Sequence, residues 1–296
     1  MIYKKGKDYQ MYREGRIFKL CRVHNMEDYL TAVDNGVNMI GIHAVYSCFE
    51  AYKSIEENYS PIERPEIRTH RNLPIADYEV SSIRYMVENM DSKISIALIL
   101  ENELSNEDIA ECIRLYNLDG KNPFLQLQFR ISYARCIEIK KELNNNLICT
   151  VGLNQADFEE YLKFLNRVLD PDKDFILIDF SKHQPDYLTK KVDISCEATM
   201  DTLEKKVRSL RNNKIPLLIA DDTEVEKMQD YLKFLSVNNI RIAGIDMQNS
   251  VEISKKYQSY KLDNINDEQL IQVKIRKSNE KLQQWKLFVS KKLNIY

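Results

Sequence analysis

Eight short apolar runs, alternating with segments of helical period along most of a 296-residue chain, predict a closed (β/α)8 barrel. Three observations carry this expectation. Several of the runs are continuously apolar, as in strands of a parallel sheet covered on both faces. The count of eight and a span of roughly 250 residues are those of this barrel. Glycine is scarce, at 7 residues in the chain, where a share of roughly 7% is usual. The competing architecture, an open doubly wound sheet, usually carries a glycine-rich first turn. Neither GxGxxG nor GxxxxGK[ST] occurs, so nucleotide-binding loops of those kinds are disfavoured too.

Taken in order, residues 1–17 are charged and tyrosine-rich and form an arm before the barrel. The first strand falls at 18–23 and its helix at 26–35; the second strand falls at 39–45. A long connection, 46–77, follows, containing Ser60-Pro61-Ile62-Glu63-Arg64-Pro65 and then Arg68, His70 and Arg71. That length is usual for a functional lid or an insertion. Helix 78–90 and strand 93–100 come next. Helix 106–116 opens with Ser105 as N-cap and Glu107 and Asp108 in its first turn. Strand 124–128, helix 133–143 and strand 147–152 continue the rhythm. Helix 156–169 carries an apolar stripe of Phe158, Tyr161, Leu162, Phe164 and Leu165.

Strand 175–180, helix 197–211, strand 216–220, helix 224–237 and strand 242–247 complete the alternation. The words Tyr-Leu-Lys-Phe-Leu at 161–165 and 231–235 echo a repeated unit, although five residues are short evidence. Residues 267–292 read as one long terminal helix with Leu270, Val273, Ile275, Leu282, Trp285, Leu287 and Phe288 on its apolar face. The expected organisation is an arm (1–17), a barrel (18–266) and an extra C-terminal helix (267–296). That helix packs on the barrel or, as the alternative, meets a second copy or another protein.

Composition narrows the function. A net charge of −2 supplies no field for nucleic acid or an anionic membrane. Six cysteines stand without a CxxC pair, and no apolar run follows the basic residues near Met1. A reducing cytoplasm is therefore expected, with neither a signal peptide nor a disulfide framework. Each cysteine taken alone is ordinarily a small buried hydrophobe.

Chemistry in such a barrel collects at the C-terminal ends of the strands. Those ends present Cys21 and Arg22, His43, Gln126 and Gln128, and Asp179 followed by Lys182 and His183. They continue with Asp221 and Asp222, then Asp246, Gln248 and Asn249. This is a polar, two-signed mouth around a thiol, suited to a small-molecule ligand. A thiol facing a carboxylate can work as an acid–base pair where burial and charge bring both groups toward neutrality. No HxH or HExxH spacing supports a metal site, and no cofactor is expected. His24 and His70 read as surface loop residues. Asp221 and Asp222 also suit the N-cap and first turn of the following helix.

Lys19-Leu20-Cys21-Arg22-Val23, with Met26-Glu27-Asp28 and Gly36…Met39-Ile40-Gly41, resembles the opening of phosphoribosylanthranilate isomerase, whose first strand carries Lys-Ile-Cys-Gly. Leu125-Gln126-Leu127-Gln128 resembles that family's fourth strand, and Leu177-Ile178-Asp179-Phe180-Ser181 its sixth. Gly244-Ile245-Asp246-Met247-Gln248-Asn249-Ser250-Val251-Glu252 resembles its eighth, Gly-Val-Asp-Val-Ser-Ser-Gly-Val-Glu. The likeness is collinear over about 18–276. It implies a (β/α)8 barrel in which Cys21 matches the general base and Asp179 the general acid of an aminoaldose-to-aminoketose rearrangement.

The departures bear on substrate. The family's phosphate-gripping glycine turns are replaced by Ala220-Asp221-Asp222 and Gln248-Asn249-Ser250. Its glycine after the cysteine is replaced by Arg22. Two carboxylates beside a phosphate dianion repel it by several kcal/mol in a partly desolvated pocket. The expectation is thus a diverged acid–base isomerase, or related lyase, on a small sugar-like or carbonyl substrate rather than the tryptophan-pathway reaction. The alternative is a barrel without catalysis that binds a ligand or serves in an assembly.

Overall fold

The computed structural model describes residues 17–44, 80–101, 103–180, 200–220, 225–247, 252–258 and 271–292. Eight parallel strands close on themselves in sequence order. They are β1 (Ile17–Leu20), β2 (Met39–His43), β3 (Ser95–Leu100), β4 (Phe124–Leu127), β5 (Leu147–Gly152), β6 (Phe175–Asp179), β7 (Leu217–Ala220) and β8 (Ile242–Met247). Eight helices alternate with them: α1 (Met26–Asp34), α2 (Val80–Asn89), α3 (Asn106–Leu115), α4 (Tyr133–Glu142), α5 (Phe158–Val168), α6 (Met200–Arg211), α7 (Val225–Val237) and α8 (Asn279–Lys292). The architecture is a (β/α)8 barrel. Among the described residues no helix is long and apolar enough to cross a membrane.

Local chemistry sets the helix ends. Asn25, Ser105 and Ser132 each accept a hydrogen bond from the backbone N–H three residues on, capping α1, α3 and α4. Asn117, Asn144 and Asn239, just past α3, α4 and α7, take left-handed φ values of 55–56°. Asparagine tolerates that region better than other side chains that carry a Cβ. A chain with 7 glycines thereby still terminates its helices.

Strand alternation divides the interior into two packed volumes. Ile17, Met39, Ala97, Phe124, Ile148 and Phe175 point inward and fill the lower barrel. Their strand neighbours point outward against the helices, as Phe18, Ile40, Leu98, Leu125 and Ile176 do. The last seam joins β1 to β8, with Ile17 opposite Gly244 and Lys19 opposite Asp246. Gly244 is required there, because a Cβ would stand 2.0 Å from the Ile17 carbonyl oxygen.

Residues 267–292 do not form one helix. An antiparallel hairpin, β9 (Glu252–Gln258) with β10 (Ile271–Lys277), stands between β8 and α8. The physical reason lies in Ile271-Gln272-Val273-Lys274-Ile275-Arg276, which alternates with a period of two and reads as a strand. Helix α8 then lies between α1 and α7, burying Leu282, Trp285 and Phe288 and completing the helical ring. Asn35 donates a hydrogen bond to the Asn279 side chain at 2.7 Å, tying α1 to the start of α8. Residues 1–16 of the expected 1–17 arm and the 46–77 connection lie outside the described residues, while Ile17 is the first residue of β1.

Candidate active site in the barrel mouth

The inner face of β1 carries Ile17, Lys19 and, just past the strand, Cys21; the inner face of β8 carries Asp246 at the register of Lys19. Lys19 Nζ donates to Asp246 Oδ2 at 2.7 Å and to Cys21 Sγ at 2.6 Å, and Cys21 Sγ donates to the same carboxylate oxygen at 3.2 Å. All three are buried, Lys19 at 0% exposure, Cys21 and Asp246 at 4%. Room for the sulfur comes from Gly41 on β2, where a Cβ would sit 3.1 Å from Cys21 Sγ.

The electrostatics of this triad are directional. Burial opposes the Lys19 charge, but attraction from Asp246 and Cys21 outweighs it and holds the ammonium above its ordinary range. Burial, then the Asp246 charge, push the Cys21 thiol up to about 12, with Lys19 pulling the other way. In the free protein at neutral pH Lys19 is therefore an ammonium and Cys21 a thiol that donates a hydrogen bond to Asp246.

A second group occupies the ends of β2 and β3. His43 Nδ1 lies 3.0 Å from Glu101 Oε1, with side-chain exposures of 3% and 0%. The His43 backbone N–H donates to His24 Nε2 at 3.1 Å, and its carbonyl accepts from the Tyr116 hydroxyl at 3.1 Å. His24 is thus not a surface residue: its loop turns inward after Cys21, leaving it 3% exposed. Burial first, then the charges of His43, Arg22 and Lys277, hold it well below the usual imidazole range. Arg22 is 4% exposed and takes φ 62°, a left-handed geometry that favours glycine.

The remaining expected residues divide. Gln126 points inward from β4, fully buried, and among the described residues neither atom of its amide has a hydrogen-bond partner. The same holds for Thr150 Oγ1 on β5 and for Asp246 Oδ1. Gln128 is half-buried just beyond β4. Asp179 is half-buried at the end of β6, on the inner face three strands round from β1. Lys182, His183, Asp221, Asp222, Gln248 and Asn249 lie outside the described residues. Among the described residues no three His, Cys, Asp or Glu side chains converge on a point where a metal ion could sit.

Sequence reasoning missed Lys19 and Glu101. Lys19 is a lone cation inside an apolar strand, two residues before Cys21 and hence on its face. Glu101 follows Ile-Ala-Leu-Ile-Leu at the inward register of Ala97 and Ile99. Both signals were available from period-two alternation alone.

No protein-family model matches the chain, and no curated protein matches it. Solved structures do. Phosphoribosylanthranilate isomerase from Thermus thermophilus is similar at 15% identity and TM-score 0.55, over 92% of this chain and 98% of that one. The enzyme of the same name from Thermotoga maritima is similar at 16% identity and TM-score 0.53, over 93% and 97%. A 3-keto-L-gulonate-6-phosphate decarboxylase from Vibrio cholerae is similar at 10% and TM-score 0.50, over 94% and 97%. At these identities the likeness is one of fold, shared by barrels of different chemistry, and the fold of this chain is that of the phosphoribosylanthranilate isomerase structures.

Proposed function

We propose that the mouth is an acid–base site that isomerises a small sugar-like or carbonyl substrate, or carries out a related lyase reaction on it. Cys21 exchanges the proton at carbon, and Asp179 serves as the opposing acid at oxygen. Lys19 and Asp246 set the charge of the thiol. The supporting observation is the fully buried Lys19–Cys21–Asp246 triad. Desolvating such charges costs several kcal/mol per ion, and apolar side chains of similar volume would serve folding as well or better. The inner face is apolar below and polar above, which is where a ligand would meet it. The unpartnered atoms of Gln126, Thr150 and Asp246 are handles for a hydroxylated molecule.

Asp246 is the lever in this reading. Burial first, and then the Asp246 charge, keep the thiol protonated; once a ligand hydrogen-bonds or neutralises Asp246, burial alone opposes Lys19, and the balance moves toward the thiolate. The replacement of glycine turns by Asp221-Asp222 and Gln248-Asn249-Ser250 supports a ligand other than one carrying a phosphate in the family's seat.

One observation favours a second reading. A thiol held near 12 is a poor proton acceptor at neutral pH, as expected of a barrel that binds a ligand without turning it over. Purified protein is mixed with phosphoribosylanthranilate and with a panel of aldoses and ketoses in deuterium oxide. The readouts are substrate fluorescence and deuterium at the carbon beside the carbonyl. Exchange that Cys21→Ala abolishes supports the isomerase reading. Calorimetric binding of a panel member without exchange supports the second.

A further inference from the structure

We propose that His43 is a second proton carrier of the mouth, positioned by Glu101 and suited to moving a proton between neighbouring oxygens of a hydroxy-carbonyl ligand. The inference rests on reading the mouth as an acid–base site and adds a group that reading does not use. Its basis is placement. Period-two alternation puts Met39, Gly41 and His43 on the inner face of β2 and Ala97 and Ile99 on that of β3, with Glu101 next in the same row just past the strand. The lower members of both rows are apolar or glycine, and the uppermost are an imidazole and a carboxylate 3.0 Å apart. Gly41, one inward step below His43, is the residue against which Cys21 Sγ rests. The imidazole and the thiol therefore occupy adjacent strands at the same end of the barrel.

Three restraints hold the histidine. Its backbone N–H is bonded to His24, its carbonyl to Tyr116, and the next residue, Ala44, continues the ladder by donating to the Ile99 carbonyl at 2.9 Å. His24 can accept that bond only with its Nε2 unprotonated, and burial keeps it neutral. A carboxylate against Nδ1 favours the proton on that nitrogen and makes Nε2 the basic one. The carrier step balances without a co-reactant. Cys21, as the thiolate, takes the proton from the hydroxyl-bearing carbon and the carbonyl becomes an enediolate. Nε2 takes the hydroxyl proton and returns it to the former carbonyl oxygen, and Cys21 gives its proton to the former carbonyl carbon, which regenerates the thiolate. Glu101 keeps its charge throughout and offsets that of the transient imidazolium. Among the described residues, the charged and titratable groups against this unit are Glu101 just past β3 and His24 in the loop after β1. Arg22 in that loop and Lys277 at the end of β10 bear on His24.

The test reads the free, full-length chain. Long-range proton–nitrogen NMR of protein labelled at its 4 histidines, assigned with His43→Asn, follows each ring across about pH 5 to 8. The expected result is a His43 that carries its first proton on Nδ1 and gains a second on Nε2 within that range. E101Q lowers the midpoint by about one unit, a tenfold loss of proton affinity, and Glu101→Asp recovers part of it. A His43 that never titrates in this range, or titrates identically in E101Q, overturns the proposal and leaves the pair as packing. These readouts need no turnover, so absence of isomerase activity would sink the proposed function and leave this result to stand or fall alone. With an exchanging substrate in hand, E101Q moves the acid limb of the kcat profile by the same one unit, with KM unchanged.

Discussion

At the scale of single residues, the sign of each charge around Cys21 is a measurable quantity. Removing the carboxylate with Asp246→Asn lowers the thiol from about 12, and removing the ammonium with Lys19→Met raises it further. The pH dependence of Cys21 alkylation, followed by peptide mass spectrometry on the full chain, checks both directions; shifts of the same sign in the two variants would contradict the triad. Stability responds as well. Lys19→Met leaves a buried carboxylate uncompensated and is expected to cost about 3–5 kcal/mol. Adding Asp246→Leu to it recovers most of that loss, because the orphaned charge is gone. Denaturant titration of the two variants and their combination gives the coupling directly. Arg22 belongs at this scale too. Its left-handed backbone is where the resembling family carries glycine, so Arg22→Gly relieves a conformational cost of about 1 kcal/mol. It also removes a cation acting on His24, whose pKa is expected to rise.

At the scale of elements, the barrel closes where β8 meets β1, and the closure depends on Gly244. Gly244→Ala places a methyl 2.0 Å from a backbone oxygen that cannot rotate away, so the seam must part. Insoluble or molten protein is expected by near-ultraviolet circular dichroism and gel filtration. The terminal helix is the other decisive element. Trp285, 2% exposed, packs edge-on to Phe288 with ring centroids 5.6 Å apart. Trp285→Ala is expected to cost about 3–5 kcal/mol, and a chain ending at Asn266 is expected not to fold. A truncated chain that melted cooperatively like the full one would show that α8 is dispensable. Strand and helix positions were legible in the sequence because each apolar run has only one way to be buried. The hairpin was missed because reading Leu270, Val273 and Ile275 together with Leu282, Trp285 and Phe288 gives one apolar helix face, although Ile271, Val273 and Ile275 alternate with the period of a strand. What decides between the periods is the antiparallel partner, with Glu252 opposite Lys277 and Gln258 opposite Ile271.

For the whole molecule, buried titrating groups set the pH limits of stability. Lys19 and Cys21 both have pKa values raised on folding, from 10.5 and 9.0 respectively. The folded state then binds more protons than the unfolded state above about pH 9, so stability falls as pH rises toward about 12. Cys149, raised well above 9.0 by burial, adds a term of the same sign. Cys21→Ala should therefore flatten only part of the alkaline slope. On the acid side His24, held well below 6.5, must charge on unfolding, so stability falls as pH drops through 6.5. Melting temperatures measured across pH with the wild type and Cys21→Ala check the alkaline sign; an unchanged alkaline slope would contradict the thiol's assignment.

The chain by itself determined the barrel. Hydrophobic periodicity is a property of adjacent residues, and eight strands alternating with helices have few ways to bury their faces. It also put Cys21, His43, Gln126, Asp179 and Asp246 at strand ends, because parallel topology sends every strand's C-terminus to one rim. Only the tertiary structure decided which of them meet. Lys19 and Asp246 are 227 residues apart in sequence, and His43 and Glu101 stand on different strands. Their pairing depends on barrel closure and register, which fix distances that local sequence does not encode. The burial that turns a surface-looking His24 into a neutral core residue, and a thiol into a proton donor, likewise arises from the surrounding elements once they have packed.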